Sequence, residues 1–273
     1  MIKQAIIPLA GLGTRLLPIT SVIPKELLPI NGKIGLEYIL DECLQAGIKE
    51  FIFIISKNKS SIKKYFFNDL FYKKIIKKKN DSRIKKEYLK IKKYQKMIKF
   101  VYQDNPKGTG DAVLKCQRYL KGDFFLMLLP DDLIIKNNCS KEMINLHKKN
   151  NSSVIATMKV NKKTVSRWGI LTPKNKNKNK NYFKIIDVTE KPTIKKATSN
   201  YAIIGRYILP RSILKEIKKL KTGQGGEIHI TDAIKKLIKD NKEFYASIFK
   251  GKYLDCGTMN GYIKSGLEIS KNR

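Results

Sequence analysis

Arginine and acidic residues are scarce in this 273-residue chain. Only seven of its 57 basic residues are arginine, and with 23 acidic residues the formal net charge is +34. Such an excess is typical of proteins that bind nucleic acids or anionic surfaces. Proteins that read base sequence, however, use arginine for paired contacts to guanine. Lys, Asn and Ile, which A/T-rich codons encode, are all abundant. The lysine excess therefore indicates a composition bias, and we expect no specific nucleic-acid partner.

Paired cysteines and long apolar runs are also missing. No two of the four cysteines have C-x-x-C spacing, which argues against a zinc site or a disulfide framework and indicates reduced thiols. No apolar run approaches the roughly 20 residues that span a bilayer. The N-terminus leads directly into a predicted strand, without the pattern of a signal peptide. We therefore expect a cytoplasmic protein with no membrane partner.

Short apolar runs alternate with segments of helical periodicity. The apolar runs predict strands at 5–9, 51–55, 98–102, 124–129, 153–158, 182–188, 201–209 and 244–249. The periodic segments predict helices at 35–46, 60–72, 110–120 and 140–149. This alternation predicts an α/β fold with a mixed, mostly parallel sheet and helices on both faces. In such sheets ligands bind at the carboxyl ends of the strands.

The first predicted strand opens into a glycine-rich loop. Gly11 and Gly13 allow backbone N–H groups to approach a ligand closely. Arg15 and Lys25 follow, ten residues apart, and prolines stiffen the chain between them. The loop lacks the third glycine of a dinucleotide fingerprint and the Gly-Lys-Ser/Thr of a P-loop. A strand that leads into glycines and two cations nevertheless predicts a phosphate-binding loop.

The loop belongs to a longer pattern. Residues 11–29 read G-x-G-T-R-x-x-P-x-T-x-x-x-P-K-x-L-L-P, which resembles the signature of the sugar-1-phosphate nucleotidyltransferases. Five motifs occur in the family order, from Ala5 to about Gly257. The resemblance implies a Rossmann-like nucleotidyltransferase fold. The opening Ala-Gly-Leu-Gly-Thr-Arg, followed by Ile-Pro-Lys-Glu, is most similar to bacterial members that transfer a uridylyl group from UTP to α-D-glucose 1-phosphate, giving UDP-glucose and pyrophosphate.

The resemblance implies a nucleotide site in the first half of the chain. The loop would hold the triphosphate through Gly13, Thr14, Arg15 and Lys25. A glutamine side chain offers both a donor and an acceptor to the imide edge of a pyrimidine. In the family a glutamine and a following glycine read the base, so the uracil site would contain Gln103, Gly108, Ala10 and Gly11. By itself, the segment 103–110 is also compatible with an ordinary loop that begins a helix.

Two aspartates are candidate magnesium ligands. Asp131 follows a predicted strand, and Asp255 lies in an Asp-x-Gly-Thr run near the end of the chain. Mg²⁺ prefers oxygen ligands and usually keeps several waters. From the residues alone, Asp131 could equally form a turn or a helix cap. The resemblance implies that both aspartates bind one Mg²⁺, and it leaves Asp132 as a weaker candidate.

The second half of the chain would bind the sugar phosphate. The family has a Glu-Lys-Pro motif in which the lysine grips the sugar phosphate and the glutamate accepts hydrogen bonds from sugar hydroxyls. Here the motif gives Lys191 and Glu190. Gly169 matches a position where the sugar packs against backbone, and Glu227 matches a glutamate near the sugar. The run around Glu227 could also be only a helix start, and we assign no chemistry to His229.

The organisation predicted is one nucleotidyltransferase domain over residues 1–273. It comprises a nucleotide-binding half at about 1–135, a sugar-binding half at about 136–258 and a C-terminal helix at about 259–273. Family members form dimers or tetramers, so we expect self-association. Residues 73–96 hold twelve lysines or arginines and predict a solvated helix or helical hairpin, and 174–181 predicts a loop of lysine and asparagine.

Two alternatives remain open. The nearer one is a thymidylyl- or cytidylyltransferase on the same fold, because base choice depends on few contacts. The more distant one is a non-catalytic polyanion-binding protein on a transferase scaffold. The presence of Arg15, Lys25, Asp131, Lys191 and Asp255 argues against the second, since a binding module has no need of both candidate metal ligands.

If the lysine excess is a composition bias, any binding to RNA or DNA will be sequence-blind. Binding should weaken steeply as salt rises, because it depends on counterion release from phosphates. Titration of labelled RNA and DNA of several sequences between low and high salt checks this. Sequence-selective binding that persists at about 0.3 M salt, well above the roughly 0.15 M at which the Debye length is already about 8 Å, would contradict the prediction.

Overall fold

The structure is a computed structural model that describes residues 2–175 and 181–271. Residues 176–180, most of the loop predicted at 174–181, lie outside the described residues. Within the described ranges, every helix is too short or too polar to cross a bilayer.

The described residues form a nine-stranded sheet and two small two-stranded ribbons. The strands of the large sheet, in spatial order, are β5 (Ile98–Tyr102), β4 (Glu50–Ile55), β1 (Gln4–Pro8), β6 (Phe124–Leu128), β11 (Tyr201–Pro210), β8 (Ser153–Lys159), β12 (Phe244–Ile248), β10 (Tyr182–Glu190) and β9 (Gly169–Pro173). The ribbons pair β2 (Pro29–Ile30) with β3 (Lys33–Ile34), and β7 (Asp132–Ile135) with β13 (Lys252–Asp255).

Helices cover both faces of the sheet. They are α1 (Gly35–Gln45), α2 (Ser60–Phe67), α3 (Asp69–Lys79), α4 (Ser82–Gln95), α5 (Thr109–Lys115), α6 (Cys139–Asn150), α7 (Ile213–Lys218), α8 (Ile230–Lys239) and α9 (Met259–Ser270). Side chains alternate across a strand. In β1, therefore, Ala5 and Ile7 pack into the core layer of α1 and α6, whereas Ile6 packs into the layer of α5, α7 and α8. This confirms the predicted arrangement of helices.

The sheet is parallel in its first half and mixed in its second. β5, β4, β1 and β6 run parallel, as predicted from their alternation with helices. β11 is antiparallel to β6 and β8, and β10 is antiparallel to β9 and β12. Fewer of the strand pairs are therefore parallel than the sequence predicts. The strands β9, β10 and β11 follow one another without helices between them, whereas parallel neighbours need a crossover connection.

Two predicted helices end earlier than expected. The helix predicted at 60–72 is interrupted at Asn68, where α2 gives way to α3. The helix predicted at 110–120 ends at Lys115 and continues as a short 3-10 turn. The lysine-rich segment 73–96 is a helical hairpin, as predicted, and it packs through an apolar edge that includes Ile91 and Tyr94.

A buried ion pair joins the two halves of the fold. Arg206 is fully buried in the middle of β11, and its Nη2 lies 2.8 Å from Glu42 Oε2 on α1. Its Nη1 donates to the Leu129 carbonyl oxygen at 3.2 Å, just beyond the end of β6. Glu42 also accepts hydrogen bonds from the backbone and hydroxyl of Ser140, at the start of α6. The pair therefore anchors the segment that leads to the candidate metal ligand Asp131.

Replacing Arg206 with Met should lower the free energy of unfolding by about 3–5 kcal/mol, because Glu42 would stay buried without its cation. Chemical denaturation measures this. The double variant Arg206→Met/Glu42→Gln should recover part of the loss. Lys219→Met is the control, since Lys219 forms an exposed pair with Glu216 that is worth at most about 1 kcal/mol. Equal losses for Arg206→Met and Lys219→Met would contradict the prediction.

Candidate active site

The glycine-rich loop leaves the sheet at the carboxyl end of β1. Leu9 donates its backbone N–H to the Ile54 carbonyl, after which the chain passes through three short 3-10 turns. Gly13 has φ +70°, a left-handed conformation, and its carbonyl accepts a 2.8 Å hydrogen bond from Thr20 Oγ1. Apart from Gly11 itself and its two chain neighbours, no atom of the described residues lies within 4 Å of the position that a Cβ on Gly11 would take. The loop is thus locally fixed and open to solvent at Gly11.

The two cations of this loop converge on one carboxylate. Lys25 Nζ lies 2.7 Å and Arg15 Nη2 3.3 Å from Asp131 Oδ2. Burial alone would raise the pKa of Asp131, but the charges of Lys25 and Arg15 outweigh it and lower that pKa below its usual value. The side chain of Lys25 is only 15% exposed, whereas that of Arg15 is 59% exposed. Arg15 is therefore the cation that can move to meet a ligand.

A second buried pair holds Lys25 in place. Lys59 Nζ lies 2.9 Å from both carboxylate oxygens of Glu26, and both side chains are buried. Glu26 follows Lys25 directly, and Lys59 lies just before α2. The pair ties the glycine-rich loop to the carboxyl end of β4. Sequence reasoning missed Lys59, which is one lysine among many.

The ribbon of β7 and β13 brings Asp255 beside Asp131. Asp255 is paired in register with Asp132, and Asp255 Oδ1 accepts a hydrogen bond from the Gly257 N–H at 2.8 Å. A Cβ on Gly257 would lie 2.7 Å from Asp131 Oδ2, 2.8 Å from Arg15 Nη2 and 3.2 Å from Asp255 Oδ1. The two carboxylates thus converge on one point, where only glycine leaves room.

The carboxylates of Asp131 and Asp255 fit a magnesium ion. Among the described residues, no three His, Cys, Asp or Glu side chains form a group that could hold a metal by themselves. Mg²⁺ is commonly bound by one or two carboxylates together with substrate phosphates and water. Two hard oxygen donors beside a phosphate-binding loop match this incomplete type of site.

Asp132 lies in a different environment from Asp131. Its Oδ1 accepts a 2.6 Å hydrogen bond from Tyr253 Oη, and a Cβ on Gly205 would lie 2.3 Å from its Oδ2. Burial, followed by the negative charge of Asp131, raises the pKa of Asp132 to about 7. Sequence reasoning missed Tyr253. Its position two residues before Asp255 on a strand, hence on the same face, was the available signal.

The Glu-Lys-Pro motif lies on the opposite wall of the same cleft. Glu190 pairs in register with Gly169, and a Cβ on Gly169 would approach Glu190 Oε2 to 3.2 Å. Glu190 Oε2 accepts a 2.9 Å hydrogen bond from Thr231 Oγ1 at the start of α8. Lys191 is exposed, and its backbone N–H donates to the Trp168 carbonyl. The side chain of Lys191 is therefore available to a ligand.

A cleft of about 620 Å³ connects the two walls. Of the residues predicted for the site, it is lined by Thr14, Arg15, Asp131, Gly169, Glu190, Lys191, Glu227 and Asp255. It is also lined by residues that sequence reasoning did not select, among them Arg167, Trp168, Tyr207, His229, Thr231 and Tyr253. Lys25 reaches the cleft through its contact with Asp131.

The residues predicted to read a base lie beyond the lining of this cleft. Ala10 and Gln103 are buried at the carboxyl ends of β1 and β5. Gly108 has φ +101°, and its Cβ would lie 2.6 Å from the Ile228 carbonyl oxygen. Gly108 is therefore required by packing against the segment before α8, independently of any ligand.

Cys256 is unsuited to act as a nucleophile. It lies beside Asp255 but is buried, and burial raises the pKa of its thiol to about 12. A thiol is nucleophilic only as the thiolate. The cluster instead combines cations with carboxylates, an arrangement suited to binding and stabilising phosphate charge.

The chain belongs to the nucleotidyl transferase family, whose model matches residues 4–272. Among its relatives is the UTP–glucose-1-phosphate uridylyltransferase of Mycoplasma genitalium, 38% identical over 99% of this chain and 92% of that protein. The enzyme of the same name from Mycoplasma pneumoniae is 36% identical over 97% of this chain and 91% of its own length. The predicted family membership is confirmed.

Solved structures agree with these relatives. A UDP-glucose pyrophosphorylase crystallised with UDP-glucose has a TM-score of 0.87 and 34% identity, with 100% of both chains covered. A UTP-bound enzyme of this type from Acinetobacter baumannii has a TM-score of 0.89 and 30% identity, covering 100% of this chain and 95% of its own. The predicted nucleotidyltransferase fold is confirmed.

Gly108→Ala and Gly11→Ala should differ in their effect on stability. Alanine at 108 must adopt a left-handed conformation and meet backbone at 2.6 Å, which should lower the free energy of unfolding by about 2 kcal/mol or more. Alanine at 11 meets nothing within 4 Å, and its effect should stay within about 0.5 kcal/mol. Chemical denaturation without ligands compares the free energies of unfolding of the two variants with that of the wild type. Equal stabilities would contradict the assigned packing role of Gly108.

Proposed function

We propose that this chain is a UTP–glucose-1-phosphate uridylyltransferase, which joins UTP and α-D-glucose 1-phosphate to give UDP-glucose and pyrophosphate. The observation that carries the proposal is the cleft in which Arg15, Lys25, Asp131 and Asp255 face Lys191. One wall offers cations and carboxylates for a triphosphate. The other offers the exposed lysine Lys191 for a second phosphate. The names of the relatives support this choice of substrates.

The reaction needs no protein nucleophile. An oxygen of the glucose 1-phosphate, already ionised at pH 7, attacks the α-phosphorus of UTP in line and expels pyrophosphate. Lys191 holds the attacking phosphate, and Arg15 and Lys25 hold the triphosphate and the leaving pyrophosphate. Positioning and charge stabilisation supply most of the catalysis in such transfers.

Asp131 and Asp255 would hold Mg²⁺ against the phosphates. When bound there, the metal would supply positive charge that offsets the negative charge developing on the phosphates during transfer. Lys25 keeps Asp131 ionised, since it lowers the pKa of that carboxyl. Asp131 is therefore in the protonation state that metal binding requires.

The remaining predicted residues complete the substrate sites. Glu190 and Glu227 would accept hydrogen bonds from the glucose hydroxyls, while Gly169 would let the sugar lie against backbone. Gly13 and Thr14 would contribute loop contacts to the phosphates. The base would lie against the backbone of Ala10, Gly11 and Gly108, with Gln103 at its edge.

The organisation and location of the enzyme form part of the proposal. The nucleotide-binding half at about 1–135 and the sugar-binding half at about 136–258 would meet at the cleft. The C-terminal helix, predicted at about 259–273, corresponds to α9. We expect a cytoplasmic enzyme that self-associates into dimers or tetramers.

The decisive experiment measures pyrophosphate release from glucose 1-phosphate with each of UTP, dTTP, CTP and ATP, with and without Mg²⁺. The proposal expects turnover with UTP and dependence on the metal. Preference for dTTP or CTP would identify a sister transferase on the same fold. No release with any pair would favour the non-catalytic alternative.

Asp131→Asn and Asp255→Asn should each lower turnover at least about a hundredfold, because metal-bound charge is worth several kcal/mol and a neutral amide cannot replace a carboxylate ligand. Both variants should remain folded. The control is Asp187→Asn, since Asp187 pairs with Lys235 outside this cluster. Near-normal rates of both cleft variants at saturating Mg²⁺ would overturn the metal assignment.

Lys191→Ala should weaken the binding of glucose 1-phosphate more than the binding of UTP. Loss of one charge-assisted hydrogen bond, worth about 1.5–3 kcal/mol, corresponds to a roughly ten- to hundredfold rise in KM for the sugar phosphate. Steady-state kinetics, with each substrate titrated in turn, measures the KM for glucose 1-phosphate and the KM for UTP separately. Lys195→Ala serves as the control, because Lys195 is an exposed lysine of the same loop. A rise confined to the KM for UTP would show that the role is misassigned.

A further inference from the structure

Asp111 fixes the orientation of the Gln103 side-chain amide. Both residues are buried: Gln103 follows β5, and Asp111 lies in the first turn of α5. Gln103 Nε2 lies 2.5 Å from Asp111 Oδ2 and 3.5 Å from the Gly108 carbonyl oxygen. A carboxylate and a backbone carbonyl only accept hydrogen bonds. The amide nitrogen must therefore face them, and the amide oxygen faces the other way.

The amide oxygen is the group left for a ligand. Within residues 2–175 and 181–271, Gln103 Oε1 has no hydrogen-bond donor, and it is not sealed from solvent. An unrestrained glutamine amide can turn over and offer either its donor or its acceptor to a base. The amide of Gln103 offers only an acceptor, because Asp111 occupies its donor side.

We propose that Asp111 is a specificity-determining positioning residue that makes Gln103 read the N3–H of uracil through its amide oxygen alone. The inference rests on the proposed function. N3 of uracil carries a hydrogen and donates, whereas N3 of cytosine carries a lone pair and accepts. An acceptor that faces cytosine N3 leaves two desolvated groups unpaired, which costs affinity. The fixed amide thus selects UTP over CTP. It does not separate uracil from thymine, which share the N3–H.

Asp111→Asn tests the orientation directly. Asparagine can accept from the Gln103 nitrogen or donate to its oxygen, so Gln103 can take either orientation. The ratio of kcat/KM for UTP to kcat/KM for CTP should fall by at least about tenfold, the lower end of what a hydrogen bond to a charged group contributes. Asp104→Asn is the matched control: it removes the same charge from the loop that precedes α5, but Asp104 accepts a hydrogen bond from the Lys57 backbone N–H, and its side chain makes no hydrogen bond with Gln103 within the described residues. Its ratio should equal that of the wild type.

Two UTP analogues test the same point in the unaltered enzyme, so the test stands even if Asp111→Asn fails to fold. N3-methyl-UTP lacks the donor and should lose about 10⁴-fold in kcat/KM, as expected when a site built for a hydrogen bond meets an analogue without it. 4-thio-UTP keeps the N3–H and changes only the neighbouring oxygen. Its kcat/KM should stay within about tenfold of that for UTP, the value of one neutral hydrogen bond.

The outcomes separate this inference from the proposed function. If Asp111→Asn lowers kcat/KM equally for UTP and CTP, Asp111 only stabilises the loop and the inference is overturned. Turnover of N3-methyl-UTP at the rate of UTP would overturn it as well, while uridylyl transfer would stand. If the wild-type enzyme does not use UTP with glucose 1-phosphate, the proposed function fails, and uracil reading fails with it.

Discussion

The contact of Lys25 and Arg15 with Asp131 is the interaction on which the rest of the site depends. A buried carboxylate is costly unless cations compensate it. Here both compensating cations belong to the glycine-rich loop after β1. The contact is possible because β1 and β6 are parallel neighbours, so that the loop after β1 and Asp131 after β6 leave the sheet at the same edge. Strand order thus fixes the chemistry of the cleft.

Close packing imposes a second constraint, which glycine satisfies. A Cβ on Gly257 would meet Asp131, Arg15 and Asp255. A Cβ on Gly205 would collide with Asp132 and Leu129. Glycine is required here for the approach of one charged group to another, which differs from the role of Gly13 in shaping a turn. The charged cluster can therefore form only where glycine occupies a position within β11 and another just after β13.

Much of the fold and part of the site could be predicted from the sequence, since their signals are local. Strands such as 98–102 could be predicted to the residue, because a short run rich in β-branched and aromatic residues and followed by polar residues is a local strand signal. The glycine-rich loop and Asp131 follow strands directly. Arg206 and Glu42 are 164 positions apart, and nothing in the sequence around either residue identifies the other as its partner. Lys59 and Asp111 act through side-chain contacts that no local pattern encodes, whereas the alternation along β13 places Tyr253 on the same face as Asp255.

The lysine excess shows why composition alone could not identify the basic residues that form the cleft. A net charge of +34 attracts anionic substrates in general, but this attraction is screened by salt and has no direction. Three cations that support the cleft differ from the surface lysines in burial: the side chains of Lys25, Lys59 and Arg206 are 15%, 9% and 0% exposed, and each contacts a carboxylate. Arg15 and Lys191 are exposed and are distinguished instead by their position in the cleft. Geometry of this kind is insensitive to how many lysines the surface carries. A composition bias can therefore accumulate on the surface while the charge balance inside the cleft stays unchanged.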